Sequence, residues 1–151
     1  MSDAKNRGLT NVRFIDSVPK KEVFKYILAS DMGASVLKKV DTFKTVYSNK
    51  TFDYMSCRKP ILMAIDGVSR KLVEDAGAGV YVEPENAQDF AKKIRDYIQN
   101  PTLLKTQGNS GYDYAKNNFD RNILANKYLQ FIENLKWIPN QTPVSKPFRH
   151  L

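Results

Sequence analysis

Cys57 is the only cysteine in this chain. One thiol cannot close an internal disulfide, and such sparing use suits a reducing cytoplasm. No histidine lies near it in sequence, so it reads as a small core residue and not a nucleophile. Histidine is equally scarce: His150 stands alone in a proline-rich tail, a poor setting for catalysis, and no zinc-finger spacing is present. No apolar run approaches the roughly 20 residues of a membrane span. The opening residues, MSDAKNRGLT, have no apolar stretch of the kind a secretory signal carries. Neither G-x-G-x-x-G nor G-x-x-x-x-G-K-[ST] occurs, so the dinucleotide and P-loop fingerprints fail, and Gly67, Gly77 and Gly79 read as turn and cap residues. No metal site and no cofactor are expected.

What is present is enough for one packed domain. The chain has 151 residues, 42% of them hydrophobic, which argues against wholesale disorder. The net charge is +8. A balance of that kind fits nucleic acid, an anionic membrane surface or phosphorylated ligands. The basic residues fall in pairs (Lys20–Lys21, Lys38–Lys39, Lys92–Lys93) and not in runs. There is no arginine-rich arm and no RNA-binding sheet signature, so a nucleic-acid partner is not expected.

Along the chain, strands alternate with helices. Residues 11–18, NVRFIDSV, alternate apolar and polar and predict a strand. Pro19 opens a helix whose apolar face is Val23, Phe24, Ile27 and Leu28. DMGASVL reads as a buried strand and residues 38–48 as a loop. Ser48 or Asn49 can cap the next helix, with Phe52, Met55 and Ser56 on its inner side, ended by Pro60. PILMAI is an uninterrupted apolar run, as for a strand covered on both faces. A short helix follows, closed by Gly77 and Gly79, then a strand, GVYVEP. Asn86 caps a helix with the stripe Phe90, Ile94 and Ile98. A helix restarts after Pro101. The last helix carries Ile123, Leu124, Tyr128, Phe131 and Leu135 on one side. That order predicts an α/β fold, a Rossmann-like parallel sheet flanked by helices, with three helices at the C-terminal end. Residues 1–137 form the domain and 138–151 a proline-rich basic tail.

Right-handed crossovers gather the strand C-terminal ends on one edge, where ligands bind. Residues 43–62, FKTVYSNKTFDYMSCRKPIL, lead away from that edge, and their polar side chains crowd a loop–helix junction. Helical spacing puts Asn49, Lys50 and Asp53 on one face. The first turn of the helix offers free N–H groups for phosphate, and an ionised Asp53 can accept from two hydroxyls, as on a ribose. The plainer reading is a solvated Lys50–Asp53 pair contributing a few tenths of a kcal/mol. Spacing alone favours the plainer one.

The same run, followed by V-E-D-A-G-A-G-V-Y-V-E-P-E-N, resembles the donor-binding half of bacterial family 4 glycosyltransferases, which have the GT-B architecture of two Rossmann-like domains. The branch that builds capsular and O-antigen polysaccharides is similar in detail, with F-x-T-V-x-P-x-K leading into F-E-Y-M-A-x-G-K-P-I-L. The likeness runs from Asn11 to about Leu135. It implies an incomplete GT-B C-terminal domain that binds a nucleotide-sugar donor of UDP or GDP type. By position, Asp53 takes the place of the glutamate that holds the ribose. Lys50 and the N–H groups from Ser48 through Asn49 to Thr51 lie beside the donor's sugar or diphosphate. Thr45 stands where many members carry an acid that touches the donor sugar, and Ser48 where the branch has proline.

The resemblance also implies what is missing: two further βα units with their phosphate-neutralising Arg and Lys, and an N-terminal acceptor domain or partner subunit. Strand 11–18 then lacks its usual neighbours, and a rearranged sheet or a homodimer is expected. The function implied is the donor half of a retaining transferase acting on a polysaccharide or lipid-linked acceptor, inactive alone and without a catalytic residue of its own. Its expected location is the cytoplasm, at the inner face of the cytoplasmic membrane. The alternative is a non-enzymatic assembly module that complements a partner chain or docks on an anionic membrane surface.

Overall fold

A computed structural model describes residues 2–135; the tail at 138–151, with His150, and Trp137 lie outside the described residues. The chain divides into two units, residues 1–116 and 117–151. The elements in order are α1 (Ser2–Asn6), α2 (Lys20–Ala29), β1 (Gly33–Val36), a 3-10 turn (Asp41–Thr45), α3 (Asn49–Ser56), β2 (Ile61–Ala64), α4 (Val68–Asp75), β3 (Gly79–Tyr81), α5 (Ala87–Gln99), α6 (Thr102–Phe119) and α7 (Arg121–Asn134).

The three strands form one parallel sheet in the order β1-β2-β3. Gly33 pairs with Ile61 and Val36 with Ala64 on one side of β2; Ile61 pairs with Gly79 on the other. The apolar run ILMA becomes the central strand, and all four of its side chains are buried. Pleating sends Leu62 and Ala64 to one face and Ile61 and Met63 to the other. On the first face Leu62, Ala64 and Val82 pack with Tyr97, Phe90 and Ile94 of α5 and Leu103 and Leu104 of α6. α4 lies against β2 and β3, and α3 against β1. Both are crossovers between neighbouring parallel strands, so right-handedness puts them on the same face. Helices cover both sides, as the alternation of elements predicts.

Four local expectations are corrected. Residues 12–19 form no strand: they run without regular structure, and Val12, Phe14 and Ile15 are exposed, Ile15 at 59%. Alternation supplies a strand's pattern, but among the described residues the ladders join β1, β2 and β3 alone, and none reaches this segment. In α3 the buried positions are Thr51 and Met55, one turn apart, whereas Phe52 is half-buried and Ser56 exposed. On α5 the stripe continues to Tyr97, 4% exposed, and Ile98 points to solvent at 72%; i+7 is as good a helical neighbour as i+8, and the packing chooses. In the second unit, α7 is capped by Asp120, whose side chain accepts from the N–H groups of Asn122 and Ile123, but Ile123, Leu124, Tyr128, Phe131 and Leu135 are all exposed.

Candidate functional site

The junction predicted to matter lies between the 3-10 turn and α3, on the chain leaving the C-terminal end of β1. Three serines hold it. Ser35, at the end of β1, lies 2.8 Å from Ser48, hydroxyl to hydroxyl. The Ser48 N–H donates to the hydroxyl of Ser69 at 3.0 Å, and that hydroxyl donates to the carbonyl of Val46 at 2.9 Å. Ser35 and Ser69 are buried, so these bonds form away from competing water. Below them the turn rests on Gly67, whose φ of 83° and missing Cβ both count: a Cβ there would stand 2.1 Å from the carbonyl oxygen of Lys44.

The six predicted residues separate on this frame. Asn49 and Lys50 are exposed in the first turn of α3, where N–H groups have no intrahelical acceptor. The Ser48 N–H, by contrast, is taken by Ser69, and that of Thr51 donates to the Ser48 carbonyl at 3.0 Å. Thr51 itself is fully buried, and its hydroxyl finds no partner among the described residues. The row of amides expected from Ser48 to Thr51 is therefore not all open, because the helix start and the serine chain use its two ends. Thr45 is exposed, its hydroxyl donating back to the Thr42 carbonyl at 3.2 Å.

Asp53 is half-buried one turn into α3. Its carboxylate does not pair with Lys50 as helical spacing suggests. Its Oδ2 accepts from the ammonium of Lys20, the first residue of α2. A contact between residues this far apart leaves no trace in local spacing, and the Lys20–Lys21 pair had signalled only surface charge. Next to it, the Tyr54 ring crosses Gly33, where a Cβ would meet the ring at 2.5 Å, and its hydroxyl donates to the Ala34 carbonyl at 3.3 Å. Burial, then the Asp53 charge, pushes the Tyr54 phenol up from its ordinary value.

A second polar group lines the same sheet edge. Lys39 bonds Glu83 at 2.5 Å, and the Tyr81 hydroxyl donates to the other Glu83 oxygen at 3.0 Å. The Arg70 guanidinium stacks 3.9 Å from the centre of the Tyr81 ring and pairs with Glu74 at 2.9 Å. The Lys39 hydrogen bond, with that from Tyr81, holds the Glu83 carboxyl below its usual range; burial and the Glu83 bond push Tyr81 up to about 12. Between this group and the 3-10 turn is a small cleft lined by Lys38, Lys39, Phe43, Lys44 and Asp66. Nothing in the sequence singled out Tyr81 or Glu83, because their partners come from the loop after β1 and from α4. Among the described residues no group of three His, Cys, Asp or Glu side chains could hold a metal ion, and no helix is long and apolar enough to cross a membrane.

Known structures share this architecture. Sucrose-phosphate synthase from Thermosynechococcus elongatus superposes with a TM-score of 0.73 at 18% identity, over 89% of this chain and 33% of that one. The Anabaena HepE protein in complex with UDP-glucose gives 0.73 at 21% identity, over 89% and 35%. The C-terminal domain of a glycosyl transferase group 1 family protein from Francisella tularensis gives 0.63 at 19%, over 80% and 60%. At these identities the likeness is one of fold, and it bears out the parallel α/β sheet of a GT-B C-terminal domain. In sequence, an uncharacterised glycosyltransferase of Methanocaldococcus jannaschii is 34% identical over 62 residues, 41% of this chain and 18% of that protein. The chain thus spans about a third of the first two structures and under a fifth of the archaeal relative. The family described as glycosyl transferases group 1 matches residues 2–114, well over half of the chain, and the chain belongs to it.

Proposed function

We propose that this chain is the donor-binding part of a nucleotide-sugar-dependent, retaining glycosyltransferase of bacterial family 4, in the branch that builds capsular and O-antigen polysaccharides. The observation that carries the reading is Asp53: a carboxylate on the first turns of α3, beside the exposed Asn49 and Lys50. An acceptor for a diol next to helix N-terminal donors for phosphate is a nucleotide's complement. The Anabaena protein of like fold binds UDP-glucose and UDP, which supports a UDP-type donor. Ser48 and Thr51 then act through the backbone they fix, and Thr45 borders the donor sugar. Residues 1–137 are the donor-binding domain, and 138–151 a basic tail.

The donor would be activated through its leaving diphosphate, whose developing charge an enzyme of this kind stabilises electrostatically. This chain supplies no group to the reacting atoms and is inactive alone; an acceptor domain or partner subunit completes the cleft, in the cytoplasm at the inner face of the membrane. Titration of UDP and GDP, followed by backbone amide shifts, tests the reading. Shifts should centre on residues 48–53, and Asp53→Ala should abolish them. Unchanged binding by that variant overturns the assignment.

The exposed Val12, Phe14 and Ile15 favour a second reading, an assembly module that contacts a partner chain, a second copy or an anionic membrane through this surface. Co-purification with a separate acceptor-domain subunit, without UDP binding, would select it.

A further inference from the structure

The Lys20–Asp53 pair joins the first turn of α2 to the second turn of α3, and nothing in the local pattern of either requires it. Lys20 uses one donor on Oδ2 of Asp53. An ammonium has three donors and a carboxylate about four acceptor positions, so both groups keep capacity after pairing. The exposures say where that capacity is directed: the Lys20 side chain is 63% exposed and that of Asp53 20%. The ammonium also lies 5.4 Å from the centre of the Phe24 ring, which backs it from its own helix. The result is a cation held at the carboxylate and open to solvent.

We infer that Lys20 is a phosphate-binding residue of the donor site, selecting a phosphorylated nucleotide over the bare nucleoside. The inference rests on the reading of Asp53 as the diol acceptor. A lone carboxylate holds a diol well but repels the phosphates carried by the same ligand. Lys20 neutralises Asp53 and leaves two ammonium donors beside it, so the phosphates meet a cation where they would otherwise meet an anion. Oδ1 of Asp53 and its remaining lone pairs stay available to the diol.

The test is calorimetric titration of the full chain with UDP and GDP, each beside its nucleoside, at low and high salt. Lys20→Met should weaken diphosphate binding about tenfold, leave nucleoside binding within about twofold, and flatten the salt dependence. Lys20→Arg should restore most of the loss. Equal losses for diphosphate and nucleoside would reduce Lys20 to a structural prop and overturn the inference, as would no loss at all. Asp53→Ala separates the two failures. If it loses both ligands while Lys20→Met loses neither, the diol reading stands and the phosphate role falls. If it binds UDP and GDP like the unsubstituted chain, both fall.

Discussion

Residues 11–18 and residues 60–65 both carry the apolar pattern of a strand, and only one became one. In PILMAI every side chain is buried and the backbone is bonded on both sides, to β1 and to β3. In NVRFIDSV, Val12, Phe14 and Ile15 face solvent, and no ladder forms among the described residues. Neighbours separate them as much as composition does: PILMAI carries no polar side chain and NVRFIDSV carries four, and only the first lies between two strands. A strand's backbone groups need partners along its length, and burial of its side chains needs helices above and below. β2 has both within this chain, contributed by β1, β3 and the crossover helices.

That contrast can be broken by measurement. Met63→Ala removes a fully buried side chain and should lower stability by about 2–5 kcal/mol in urea unfolding. A value near zero would mean that the β2 core is loose and the contrast with residues 11–18 unreal. Tyr97→Phe probes the α5 side of the same strand. Burial pushes the Tyr97 phenol up to about 12, above the ordinary value of a tyrosine near 10. The unfolded chain therefore releases this proton first as pH rises. The stabilisation is complete below about pH 10 and lost as pH climbs toward 12. The phenylalanine variant should show a shallower fall of stability across that window; an identical slope would place the phenol in water. The smallest effect is expected at Phe14→Ala, within about 0.5 kcal/mol for the chain by itself. A loss of about 2 kcal/mol or more, the scale of a core deletion, would show that residues 11–18 are packed after all.

The elements most legible in the sequence are those whose cause is local. The Asn86 cap accepts from the Asp89 N–H at 3.0 Å, as the start of α5 predicts. PILMAI gave β2, Pro19 the start of α2, and Ser48–Asn49 the start of α3. The parallel order followed from alternation of strands and helices. What could not be read is long-range. Nothing near Asp53 announces Lys20, and nothing near Ser48 announces Ser35 and Ser69. The choice of Tyr97 over Ile98 was made by the packing: Tyr97 joins the cluster against β2 and Ile98 faces solvent. The 3-10 turn within residues 38–48 is of the same kind: its position answers to Gly67, across the sheet edge. The candidate site was thus legible as an address on the chain, and its wiring was not.

Ser69 stands in the first turn of α4 with its hydroxyl spanning the backbone of Val46 and Ser48. It anchors the approach to α3 from a different helix. Ordering one residue's backbone costs about 1–2 kcal/mol at 25 °C, and for residues 46–48 folding has already met that cost. A ligand that arrives at the start of α3 finds the turn set, so its contacts need not be spent on immobilising a loop and appear more fully as affinity.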